Sequence, residues 1–211
     1  MCDLRSRPAD PIKAALRWQA KRSRAAGQSW HGVRVAMAYD FRSDPILAAA
    51  YEYWQGKRGE RRMPRRGDIE PSEIVPLLPN LLIIEVLGGG KRQRYRLVGT
   101  AIVEAFGVEF TGKYLDQVFS GEHLRSHVEN YRIIARAKCP LLLSRRYHSP
   151  IDGALICHRL IMPLSEDDRA VNQMLVAMSF HAPNAGARRQ SGALGDEPHF
   201  AIIESERTLV R

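Results

Sequence analysis

The chain has 211 residues, 45% hydrophobic and 26% charged, an ordinary globular composition with enough length for one well-buried domain plus extensions. No apolar run approaches the roughly 18 residues needed to span a bilayer, so a soluble chain is expected. The net charge of +9 is concentrated in residues 1–36, where eight Lys and Arg face only Asp3 and Asp10, so nucleic acid is not an expected partner of the nearly balanced remainder.

Residues 1–36 carry two readings. One is a disordered extension, or a stretch upstream of a natural start at Met37; the other is a basic helix over "PIKAALRWQAKRSRAAG". Cys2, Cys139 and Cys157 show no metal-ligand spacing and are odd in number, which fits a reduced, cytoplasmic compartment better than a disulfide framework. Asp44-Pro45 then opens a helix over "ILAAAYEYWQGKRG", with Leu47, Ala50, Tyr51 and Trp54 forming one apolar stripe. The following "GKRGERRMPRRG" reads as a solvated basic loop, and "DIEPSEIVPLLPN" as a single helical turn bounded by prolines.

From Leu81 the period changes to two. "LLIIEV", the turn "LGGGKRQ" and "RYRLVG" predict a hairpin whose second strand turns Arg94 and Arg96 outward and Tyr95 and Leu97 inward. Gly99 is expected to permit a tight turn and Thr100 to cap a short helix, "AIVEAFG". After an irregular stretch, a longer helix over 122–137 has Leu124, Val128, Tyr131, Ile134 and Ala135 on its apolar side, and Pro140 stops it. "LLLSRRYH", "ALICHRLIMPL" and "QMLVAMSF" predict three more strands separated by turn formers. The end of the chain, "HFAIIESERTLVR", fits a strand or a short helix. Five strands with helices crossing one face make an α+β fold, with extensions at 1–40 and 184–211 flanking a domain over 41–183.

"YWQGKRGERRMPRRGDIEPSEIVPLLPNLLIIEV" and "RYRLVGTAIVEAFGVEFTGKYLDQVF" together resemble the bacterial PAS-type family found mainly in alphaproteobacteria. Tyr53-Trp54, Met63-Pro64, Asp68-Ile69, Pro71, Leu78-Pro79, "YRLVGT" and Thr111-Gly112 carry the resemblance, which spans about 45–180. It implies a five-stranded antiparallel sheet with helices on its face, and a sensory or regulatory class of function.

A space between sheet and helices suits a small molecule. Tyr95, Leu97, Phe106, Leu115, Phe119, His127, Tyr131, His158 and Met178 are the pocket candidates, and such a lining suits an apolar or aromatic ligand. Each also has a plain reading as core. His127 lies in the apolar arc of the long helix, where an imidazole could meet a haem iron; His123 precedes it by one turn, but the pair has no third zinc ligand. His148, Ser149 and Asp152 fall in a probable-turn composition, and no catalytic or phosphate-cradling motif accompanies them, so an enzyme is not expected. The helix bearing Leu47, Tyr51 and Trp54 is the expected homodimer element. The chain is thus read as a stand-alone sensory module that passes its signal to an unidentified partner protein. The alternative is a basic adaptor for nucleic acid or membrane, using the tail and Lys57, Arg58, Arg61, Arg62, Arg65 and Arg66.

Overall fold

The computed structural model describes the backbone of residues 39–149, 153–181 and 201–210, and side chains at 39–146, 155–181 and 206–210. Residues 1–36, the side chains of His148, Ser149 and Asp152, and the 184–200 linker, for which the sequence carried expectations, lie outside the described residues. Helix α1 (Pro45–Arg58) begins where Asp44 accepts hydrogen bonds from the Ile46 and Leu47 amides, at 3.0 and 3.2 Å. Pro45 at the first position loses no bond the helix would have made. Gly59, at φ 56°, ends it.

The basic segment after α1 is more ordered than its composition suggests. The Arg62 and Met63 amides donate to the Asp168 carboxylate at 3.1 and 3.0 Å, and Met63 is fully buried. Three short 3-10 turns follow, at Arg66–Asp68, Pro71–Glu73 and Val75–Asn80, in place of the one turn expected. Pro71, Pro76 and Pro79 each lack the N–H that a longer helix would need. Asn80 then ties the last turn to the sheet through a 2.9 Å bond from Nδ2 to the Met178 carbonyl.

Among the described residues, six antiparallel strands form one sheet: β1 (Leu81–Leu87), β2 (Arg92–Val98), β3 (Leu141–Ser149), β4 (Gly153–Leu164), β5 (Gln173–His181) and β6 (Ala201–Leu209). Their order is β2-β1-β5-β4-β3-β6. Five are the expected strands. The sixth comes from the C-terminal segment whose pattern was ambiguous, and it extends the sheet beyond β3. Helices α2 (Thr100–Phe106), α3 (Leu115–Val118) and α4 (Gly121–Ala137) connect β2 to β3.

Successive strand residues point to opposite faces, so pairing sorts the side chains. Ser144, His158 and Ser179 pair in a row on one face; Arg145, Cys157 and Phe180 pair in a row on the other. Helix α1 lies on the first face, where Asp44 accepts from Ser179 Oγ at 2.5 Å and Trp54 Nε1 donates to the Pro163 carbonyl at 2.9 Å. Helices α2 and α4 lie on the second: the Phe106 and Phe180 rings meet at 5.8 Å, and His127 Nε2 is 3.3 Å from Arg145. Covered on both sides, β5 is buried along most of its length, which matches its nearly unbroken apolar run.

Two local expectations change. A bulge between Ile83 and Ile84 puts an extra residue into β2, so Tyr95 stays buried while Leu97 turns outward and is 37% exposed. Gly99 has an ordinary φ of −71° and itself occupies the cap position, where Thr100 was expected to cap α2. Its need is steric: a Cβ there would overlap the backbone carbonyl oxygens of Leu78 and Pro79.

Gly99→Ala should therefore destabilise the protein by at least about 2 kcal/mol in urea denaturation, because backbone and not a flexible side chain must yield. Asp44→Ala should cost about 3 kcal/mol through the lost cap and the lost bonds to a charged acceptor. Burial alone pushes the Asp44 carboxyl up, but hydrogen bonds from His181, Ser179, Tyr39 and the Leu47 amide outweigh it and hold the pKa well below the carboxylate range. Its stabilisation is then complete above the unfolded value of about 3.9 and is lost as pH falls toward the lower folded value. Asp44→Asn should flatten that acid-side loss in denaturation curves taken between those values.

Candidate functional site

The layer between the sheet and α2–α4 is floored by β3 and β4 and packed with aromatic rings. Alternation in "LLLSRR" carries Leu141, Leu143 and Arg145 onto this face, so a guanidinium enters a layer otherwise apolar. Arg145 is 1% exposed; it donates to Ser126 Oγ at 2.7 Å and lies 3.3 Å from His127 Nε2. Arg159 reaches the same layer from β4, with its guanidinium 5.7 Å from the Phe106 ring centre. Burial, reinforced by Arg159 and Arg145, holds His127 well below its ordinary pKa, so the ring is neutral. Burial likewise raises the Tyr131 phenol and the Cys157 thiol.

Asn130 sits on α4 three residues after His127, in the arc that also buries Tyr131 and Ile134. It is 0% exposed, and neither its amide oxygen nor its amide nitrogen has a hydrogen-bond partner. Each buried polar atom left in that state costs about 1–3 kcal/mol. A partner group placed between α4 and the sheet would remove that cost.

The sheet's other face holds a separate polar cluster under α1. Tyr39 stacks on His158 with ring centres 3.4 Å apart, His158 Nδ1 and Ser144 Oγ are 2.8 Å apart, and His181 Nε2 lies 3.5 Å from Asp44. Burial pushes His158 down to about 4; the neighbouring His181 adds to this, and Asp44 opposes it.

An antiparallel sheet with three connecting helices on one face and residues 42–179 matching the PAS domain family agree on one assignment. The chain belongs to the PAS domain family. No curated protein matches the sequence. A solved structure of a variant of the LOV protein RsLOV is similar at 11% identity and a TM-score of 0.39, covering 55% of this chain and 69% of that one.

Within this PAS domain, Tyr95, Phe106, Leu115, Tyr131 and Met178 are buried in one core, and Phe119 stacks on His127 at 4.3 Å. Two pocket candidates are elsewhere. Leu97 points out because of the β2 bulge, and His158 lies on the α1 face because its strand neighbours Cys157 and Arg159 take the other side. Coordination of haem iron by His127 would require expelling Arg145 from the Nε2 atom. His123 is only half-buried, and among the described residues no three His, Cys, Asp or Glu converge as metal ligands.

The dimer reading of α1 needs correction. Leu47 is 0% and Trp54 2% exposed, both inside the chain's own core, and Tyr51 is half-buried. The apolar stripe that suggested a partner is spent on β4 and β5. Of the basic segment, Lys57 pairs with Glu73 at 2.6 Å, Arg61 pairs with Asp68, and Arg66 donates to the Ile69 carbonyl at 3.0 Å. Arg145, Arg159 and Asn130 were missed by sequence reasoning. Counting alternate residues forward from Leu143 would have put Arg145 inside, and Asn130 follows from His127 by one helical turn.

A pH titration of stability checks the buried histidine. Between the ordinary value of 6.5 and about 4, the unfolded chain binds a proton that folded His158 refuses, so stability should fall as pH drops through that window. His158→Gln should reduce the slope there while leaving the steeper loss below pH about 4, which belongs to carboxylates.

Proposed function

We propose that this PAS domain is a sensory or regulatory module that holds a small ligand between α4 and the sheet and passes the signal to another protein chain. The reading rests on Asn130, whose amide is wholly buried with both polar atoms unmet. Buried amides are otherwise nearly always paired, and an unmet pair in the layer between α4 and the sheet favours a complementary group from outside the chain. Arg145 and Arg159 in the same layer favour a ligand with a polar, hydrogen-bonding or anionic end, while Phe106, Phe119 and Tyr131 favour an apolar body. This adds a polar end to the apolar or aromatic ligand expected from sequence.

The mechanism is a population shift. A ligand that engages Asn130 favours the packing of α4 that presents it. Because α4 leads into β3 and β3 pairs with β6, the last strand of the sheet among the described residues, a change in α4 packing reaches that end of the sheet. A cytoplasmic location and a homodimer accord with this role.

Native mass spectrometry of freshly purified protein tests the reading. A retained small molecule is expected, released by Asn130→Leu. The same substitution should raise the stability of the ligand-free chain by about 1 kcal/mol or more, because an isosteric apolar side chain removes two unmet polar atoms. A ligand-free Asn130→Leu protein that is less stable than the parent, with no molecule retained by either, would sink the proposal.

A further inference from the structure

A cleft of 420 Å³, whose lining does not include Asn130, is bounded by Tyr51, Trp54, Gln55 and Arg58 of α1, Arg62 beyond it, Lys138 and Cys139 of the α4–β3 connection, and Val210 after β6. Its size lies within the range of small-molecule sites. Three cations, Arg58, Arg62 and Lys138, line it, and no Asp or Glu does. Among the described residues none of the three has an ion-pair partner, unlike Lys57 and Arg61 in the same segment.

Placement at helix C-termini accounts for part of this, since the helix dipole favours Arg58 at the end of α1 and Lys138 at the end of α4. It does not account for the rest. The Arg58 Nε is buried without a hydrogen-bond partner, while its guanidinium lies 5.9 Å from the Trp54 ring centre. The Gln55 side chain donates from Nε2 to Tyr51 Oη at 2.8 Å, and its Oε1 is buried with nothing to accept from. Lys138 holds a left-handed backbone, φ 53°, a conformation that costs a non-glycine residue about 1 kcal/mol. An unmet donor, an unmet acceptor and a strained lysine thus converge on one aromatic-walled cleft.

We infer that this cleft is a second binding site, for a small organic anion whose phosphate or carboxylate meets Arg58, Arg62 and Lys138 and whose body supplies a hydrogen-bond donor to Gln55 Oε1. The site is separate from the ligand position under α4. It sits where the ends of α1, α4 and β6 meet, so an occupant would clamp the two helix ends to the sheet edge.

Calorimetric titration of the full chain with AMP, with 4-hydroxybenzoate and with inorganic phosphate tests the inference; the first two separate a phosphate from a carboxylate source, and the third is an anionic head without a body. Saturable one-to-one binding is expected for AMP or 4-hydroxybenzoate, at least about tenfold tighter than for inorganic phosphate and weakening with added salt. Arg58→Gln with Arg62→Gln should weaken it at least about tenfold. Lys138→Gly should also weaken it while folding at least as well, because glycine adopts the same backbone freely. Asn130→Leu should leave it unchanged, which separates this site from the one under α4. No saturable binding of either organic probe, equal binding of inorganic phosphate, or unaltered affinity in the arginine double variant would each overturn the inference.

Discussion

One buried carboxylate fixes how the N-terminal helix meets the sheet. Asp44 caps α1 with one oxygen and accepts from Tyr39 and Ser179 with the other, while His181 stands at ion-pair distance. Only 2% exposed, it would be costly if any of these donors were lost, since a buried charge needs its full complement of partners. The bond to Ser179 joins residues 135 positions apart, so the cap is also the clamp between the first helix and the central strand. With α1 held there, Leu47 and Trp54 complete the core on that face and β5 is covered on both sides.

The sheet consequently separates two polar systems that share strands but not a face. Ser144 and Arg145 are adjacent in sequence, yet one meets His158 under α1 and the other meets His127 under α4. On the α1 face Tyr39, Asp44, Ser179 and the Ser144–His158 pair bond to one another, and the result is anchorage. On the α4 face Asn130 remains unmet in spite of full burial. Keeping such a group buried without a partner carries a cost, and the proposed ligand position rests on that cost.

Much of the fold could be read along the chain. Period-two runs gave the five strands of the domain, Asp44-Pro45 and Gly59 bracketed α1, and Pro140 ended α4, because each of these depends on neighbours within a few residues. Of the pocket candidates, Tyr95, Phe106, Leu115, Tyr131 and Met178 share one core, which their apolar character made legible. Arg145 and Asn130 were passed over because charge and amide are ordinarily read as outward-facing, although strand alternation and helical spacing place both on inward positions. Leu97 failed for a different reason: a single bulged residue reverses every later side chain of a strand, and its place is set by the partner strand.

By itself the sequence determined five of the strands, the two longer helices, their order, and the family resemblance, since caps, breakers and periodicity act through local geometry. Only the tertiary structure decided that α1 is an internal layer with no spare apolar stripe, that β6 closes onto β3, and that Gly99 is required by the Leu78 and Pro79 carbonyls. It also decided which of the basic residues after α1 are paired and which line a cleft. These depend on contacts between segments tens to more than a hundred residues apart, where the deciding quantities are space and partner availability, and neither is written in any one stretch of chain.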